Sequence, residues 1–204
     1  LLTLPLAGPG PDPRAALVAA AAATGAPEGA RAALAPYAGA AAFLHLGAEP
    51  PATLKLYLEF AAPPPRERRL AFLAAKWRIG APEHAVARYE RRDEPAADLI
   101  PALVPAALRA PLSALAALAG PEARALEVAQ PPSSRRSLDL NLYDRGPRMA
   151  AAAAPIRALF AALGAPGAEA FLAAEGPTTL GHVAAGTSAD GSPFATLYFD
   201  AGPG

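Results

Sequence analysis

Lys55 and Lys76 are the only lysines among eighteen basic residues, and both fall inside strand-like runs. In Leu54-Lys55-Leu56-Tyr57-Leu58-Glu59-Phe60 the apolar residues alternate with polar ones. Leu54, Leu56, Leu58 and Phe60 therefore share one strand face, and Thr53, Lys55, Tyr57 and Glu59 the other. In a second run Lys76 and Arg78 point the same way, with Trp77 opposite as a core residue. An ammonium group is a compact charge with three donors, suited to several oxygens of one anion. A cation on the polar side of a sheet is placed to meet an anionic substrate, for which Arg88 and Asn141 are further candidates. A sheet with one solvated face and ordinary salt bridges would carry the same alternation, so the pattern needs its surroundings before it means chemistry.

Those surroundings come as pairs of helices and pairs of strands. Residues 13–24 and 28–37 read as helices, the first with Asp12 as N-cap and Pro13 at its first position. Residues 43–47 and 53–60 read as one hairpin, 70–79 and 84–92 as a second, with Pro63-Pro64-Pro65 between them. A helical stretch over 95–119 is interrupted by Pro101, Pro105 and Pro111. A third hairpin spans 125–129 and 135–143, and helices over 148–163 and 167–174 precede a fourth at 179–187 and 193–200. Its connection, Ser188-Ala189-Asp190-Gly191-Ser192-Pro193, has strong turn chemistry.

The outgoing strands repeat. Lys55-Leu56-Tyr57, Asn141-Leu142-Tyr143 and Thr196-Leu197-Tyr198 each place a tyrosine two residues after a polar group, and Tyr89 takes the slot in the second hairpin. Tyr89 and Tyr143 are 54 residues apart, and Tyr143 and Tyr198 are 55 apart. Tyr57 and Tyr89 are only 32 apart, as expected if one helical pair is missing. The predicted fold is therefore α+β, built from helix–helix–strand–strand units. In the third unit Leu138, Leu140 and Leu142 oppose Ser137, Asp139, Asn141 and Tyr143. In the fourth, Ala195, Leu197 and Phe199 oppose Phe194, Thr196, Tyr198 and Asp200. Helices need an apolar surface to cover, and the leucine side supplies it. Eight antiparallel strands with helices outside close most simply into a barrel with a polar lumen. Small barrels normally fill their lumens with apolar side chains, so a polar lining implies a ligand.

Composition narrows the classes. At 204 residues the chain suits a single domain over 1–204, and a start at Leu1 rather than Met is expected to reflect a trimmed N-terminus. Eighteen acidic residues balance eighteen basic ones, which argues against a nucleic-acid partner. Cysteine is absent, which excludes disulfides and thiolate chemistry. The 53% hydrophobic content argues against disorder despite 25 prolines and 17 glycines. The run Ala15–Ala23 is too short and too weakly apolar to span a membrane, and no signal peptide is evident. The expectation is a cytoplasmic monomer. No Gly-x-Ser-x-Gly elbow or His-Glu-x-x-His motif is present, and Gly186–Ser192 lacks the lysine of a phosphate loop.

This organisation resembles that of the ABBA, or PT-barrel, aromatic prenyltransferases, whose antiparallel barrel is wrapped by the same repeated units. Leu54-Lys55-Leu56-Tyr57 is similar to the family's strand whose lysine contacts an allylic diphosphate, and Ser137–Tyr143 to a later strand with a diphosphate-binding asparagine. Arg136–Tyr143, Leu180–Gly186 and Gly191–Tyr198 together are most similar to the cyanobactin-type branch, which modifies ribosomal peptides. The family barrel has ten strands where this sequence predicts eight.

The resemblance implies transfer of a dimethylallyl or longer group from its diphosphate to an aromatic acceptor, a small molecule or a tyrosine or tryptophan side chain of a peptide. Fixed cations and donors stabilise the leaving group, a role that falls to Lys55, Lys76, Arg78, Arg88 and Asn141. Tyr57, Tyr89, Tyr143 and Tyr198 would ring the carbocation and keep water from it. A base must take the acceptor's proton. Glu59 shares a face with Lys55, and His45 and His182 are the alternatives. No tightly bound cofactor or protein-held metal is expected, and Mg²⁺ would arrive on the diphosphate. The competing expectation is a non-catalytic barrel that binds an amphipathic small molecule or peptide.

Overall fold

A computed structural model describes residues 2–199 apart from 9, 11, 50 and 122. Asp200, expected at the end of the last strand, lies outside them. The chain falls into two compact units, Leu1–Glu90 with Ala129–Pro132, and Arg91–Val128 with Ser133–Gly204.

The first unit opens with strand β1 (Leu2–Pro5), followed by helices α1 (Pro13–Ala23) and α2 (Glu28–Leu34) and a 3-10 turn over Ala35–Ala40. Asp12 caps α1 as expected, its Oδ2 accepting from the Ala15 amide at 2.9 Å. The second helix stops short of the predicted residue 37 because Pro36 cannot supply the next helical amide. Strands β2 (Phe43–Glu49), β3 (Thr53–Glu59), β4 (Leu70–Arg78) and β5 (His84–Arg92) complete the unit. They lie in chain order behind β1, neighbours antiparallel. The two hairpins without intervening helices follow the prediction. β1 was not foreseen: its four residues are all exposed and gain strand character only by pairing with β2.

Leu44, Leu56, Leu58, Leu73 and Trp77 form one buried face, packed with Leu17 of α1 and Leu34 of α2. This is the predicted leucine side, and helices cover it. Each fully buried leucine contributes about 1.5–3 kcal/mol. A register shift between Leu70 and Phe72 lets both Leu70 and Leu73 stay on the core side.

The second unit carries α3 (Ala96–Leu103), α4 (Ala106–Ala119), β6 (Ala125–Ala129), β7 (Arg136–Asn141), α5 (Ala153–Ala162), α6 (Ala168–Glu175), β8 (Leu180–Thr187) and β9 (Pro193–Phe199). Of the three interruptions expected in the 95–119 stretch only that at Pro105 breaks the helix, with Val104 held extended before it, whereas Pro101 lies inside α3 and Pro111 inside α4. α5 begins at 153 rather than 148. Met149 and Ala150 donate their amides to Thr178 and Gly176 carbonyls, which draws the segment onto a turn instead of into a helix. Strands β6 to β9 lie in chain order. Leu138, Leu140 and Val183 bury against Ile100, Leu108, Leu112, Leu115, Ile156 and Leu159 of the helices. Ser137 is a correction: expected on the wet side, it is 1% exposed. Its cross-strand partners are Gly186 and then Phe194, over whose ring Arg135 lies at 5.0 Å, so this end of the face is covered.

Among the described residues no helix is long and apolar enough to cross a membrane.

Candidate functional site

On the face of the first unit away from its helices, the two lysines meet. Lys55 and Lys76 stand directly opposite across β3 and β4, and Thr53 stands opposite Arg78. Like charges facing across a sheet repel, and Glu49 answers with an ion pair to Lys55. The Lys55 side chain is only 14% exposed, so its charge is less screened than one on an open surface.

Going along the same face, charge gives way to rings. Tyr57 is two residues from Lys55 and Glu59 four, about 7 Å and 13 Å along the strand at ~3.3 Å per residue. Tyr57 and Tyr89 meet edge-on at 6.1 Å between centroids, and Tyr89 meets Phe72 at 5.8 Å. His45 lies 6.4 Å from Phe72 and stacks with Phe43 at 6.1 Å. Phe43 and Phe72, which sequence reading did not select, belong to this patch because each stands in register with Glu59. Alternation within Phe43–Leu46 and Phe72–Trp77 could have signalled both. Ala74 stands in register with Tyr57 and Ala87, keeping the sheet low where the rings gather.

The two predicted bases are brought together. His45 Nε2 lies 2.7 Å from Glu59 Oε2, and Thr3 Oγ1 lies 2.9 Å from His45 Nδ1. Both imidazole nitrogens are thus engaged, which makes His45 an orienting group for the carboxylate. Thr3 was invisible to sequence reasoning because β1 itself was.

Arg88 does not join this face. It stands in register with Leu73, on the helix side, since it and Tyr89 are neighbours on one strand and cannot point the same way. There Arg88 donates to Glu67 at 2.5 Å, and the Tyr37 hydroxyl donates to the same carboxylate at 3.0 Å. The guanidinium holds the Glu67 carboxyl below its ordinary range against the opposing effect of burial, with Tyr37 adding to the shift. Glu67 in turn keeps Arg88 more firmly protonated. A carboxyl lowered by folding adds stability above its unfolded value near 4.3 and loses it as pH falls through the folded value. Arg88→Met should therefore destabilise the chain by about 1–2 kcal/mol at pH 7. Denaturant unfolding should show that difference shrinking below about pH 4; a difference independent of acid would rule the pair out as its source.

The remaining predicted residues form a second cluster, in the second unit. Asn141 stands opposite His182, and His182 opposite Tyr198. The Asn141 Oδ1 accepts from the Tyr143 amide at 2.8 Å, a local turn that occupies this oxygen. His182 Nδ1 lies 2.7 Å from Asp139 Oδ1. Tyr198 stacks on the imidazole at 3.9 Å with 4° between planes, and Tyr143 lies 5.9 Å away. Desolvation raises the Tyr198 phenol above its ordinary value, and the Asp139 carboxylate adds to this while Arg135 opposes it. The phenol therefore stays protonated. Tyr143 and Tyr198 remain 51% and 39% exposed.

An open groove of about 410 Å³ between α5 and α6, lined by Phe160, Ala161, Ala165 and the Arg157–Glu169 ion pair, contains none of the predicted residues. Among the described residues no group of three or more His, Asp or Glu side chains is gathered as a metal site would require. Comparison of the chain with family models, with curated proteins and with solved structures finds no match in any of the three.

Proposed function

We propose that the chain transfers a prenyl group from an allylic diphosphate, dimethylallyl or longer, to an aromatic acceptor. The single observation that carries this reading is the Lys55–Lys76 cross-strand pair beside an aromatic patch on one sheet face. The repeated order of helix pairs and hairpins supports the same reading, although among the described residues no helix pair separates β3 from β4 and nine strands stand against the family's ten.

Lys55, Lys76 and Arg78 would bind the diphosphate. As the carbon–oxygen bond breaks, its electron pair leaves with the diphosphate oxygen, and the fixed cations stabilise the charge that develops there. The allylic cation would lie against Tyr57, Tyr89 and Phe72, whose ring faces stabilise it and displace water. The acceptor ring or hydroxyl supplies the electron pair of the new bond and gives its proton to Glu59, which His45 orients. Mg²⁺ would enter on the diphosphate. Arg88 has no part in this scheme, and neither do the residues of the second unit.

Incubation of the chain with radiolabelled dimethylallyl diphosphate tests the proposal. Release of labelled dimethylallyl alcohol without an acceptor, or labelled product with an aromatic one, is the expected result. Label that stays wholly in the diphosphate, with and without a panel of phenols and indoles, would leave only a binding protein.

A further inference from the structure

The histidines differ in what their second nitrogen does, and that difference locates another site. His45 has both ring nitrogens in hydrogen-bond contact. His182 has its Nδ1 on Asp139, and no hydrogen bond to Nε2 occurs among the described residues. A carboxylate at Nδ1 takes that proton in a hydrogen bond and leaves the neutral imidazole with its acceptor lone pair at Nε2. This is the arrangement that lets a histidine accept a proton or hydrogen bond from a weakly acidic group.

The walls around it are aromatic. Tyr198 covers one face of the imidazole in near-parallel contact, and Tyr143 flanks it at a tilt of 39°. Tyr143 can approach because residue 181 is glycine: a Cβ there would lie 2.3 Å from the tyrosine Cζ and 2.5 Å from its hydroxyl. The strand register shifts at the same point, between Leu180 and His182. A half-exposed tyrosine is thus seated by backbone, and the neighbouring histidine side chain is 27% exposed. Asp139 and the two phenols face the imidazole, and Arg135 acts on the Tyr198 phenol.

We infer that Asp139, His182, Tyr143 and Tyr198 form a binding site for a hydroxyaromatic ring, whose O–H donates to His182 Nε2 while the ring packs against the tyrosines. Stacking surfaces select a planar ring. A ring packed over the tyrosines takes the exposed Nε2 edge from water, so a hydroxyl within reach replaces the lost hydrogen bond and an analogue lacking it does not. The class overlaps with the aromatic acceptor of the reading above, but every residue lies in the second unit, and the site stands whether or not the first unit handles diphosphate.

The test is a titration of the full chain with N-acetyl-L-tyrosinamide and, separately, N-acetyl-L-phenylalaninamide. Imidazole resonances are followed by long-range proton–nitrogen NMR, in which three histidines give three sets of signals. The tyrosine derivative should shift the His182 Nε2 resonance and leave His84 unmoved, and the phenylalanine derivative should bind about tenfold more weakly, one hydrogen bond's worth. Asp139→Asn should weaken the tyrosine derivative by a similar factor, and His182→Gln should abolish the preference for the hydroxyl. Equal affinity for the two amides, or shifts confined to His45 or His84, would overturn the proposal. The two-ligand comparison on the unaltered chain decides the matter even where a variant fails to fold.

Discussion

Lys55→Met is expected to lower turnover of dimethylallyl diphosphate about a hundredfold or more while the chain stays folded. Loss of one preorganised group that stabilises charge in the transition state typically costs about 10²–10³ in kcat, or roughly 3–4 kcal/mol. The side chain is well placed for such a role: 14% exposed, in register with Lys76, and two residues from the tyrosine that starts the aromatic patch. Stability should change little, because the substitution removes a like-charge pair as well as the ion pair to Glu49. Lys55→Arg keeps the charge but replaces a compact ammonium by a longer planar fork, so it should recover only part of the rate. Arg88→Met, on the other face, should leave kcat near that of the unaltered chain. Steady-state kinetics on the three variants, with thermal melts alongside, separate these outcomes. Equal turnover by Lys55→Met and the unaltered chain would remove Lys55 from the chemistry.

Gly186→Ala carries the largest expected cost in stability. An added Cβ would meet the Arg136 carbonyl oxygen at 2.2 Å and the Ser137 Cα and Cβ at 2.4 and 2.5 Å. These are mostly backbone atoms of the paired strand, so no rotamer change relieves the overlap, and β7 and β8 must part. Overpacking of this kind costs about 1–3 kcal/mol, and the upper end applies where backbone must move. At ~2–4 °C per kcal/mol for a chain of this length, the melting temperature should fall by about 6–12 °C. Gly191→Ala is the control: its Cβ meets nothing within 4 Å, although its positive φ of 88° disfavours any side chain. A melt in which the Gly191 variant falls as far as the Gly186 variant would show that conformation, rather than crowding, sets the cost.

The placement of Arg88 and Tyr89 shows where reading from the sequence stops. Both were candidates for one interior, yet adjacent strand residues face opposite ways. The pairing of Tyr89 with Phe72 sets it beside Tyr57, and that turns Arg88 toward Glu67 and Tyr37. His84-Ala85-Val86-Ala87-Arg88-Tyr89-Glu90 has polar groups on both faces, so hydropathy alone could not choose. Trp77 posed no such ambiguity: its neighbours Lys76 and Arg78 forced it inward, and it is 2% exposed.

The succession of helix pairs and hairpins, the break before Pro105, the Asp12 cap and the leucine sides that bury were all legible in the chain itself. Each depends on the intrinsic period of a strand or helix, on proline's missing amide, or on a side chain reaching its own backbone, and these are local effects. Tertiary structure alone decided that Lys55 faces Lys76, that His45 holds Glu59 while His182 holds Asp139, and that β1 exists at all. Those outcomes depend on which residue of one strand lies opposite which residue of the next. Such register follows from the packing of whole faces and from single-residue shifts near Leu70 and Gly181, to which no short stretch of sequence is sensitive.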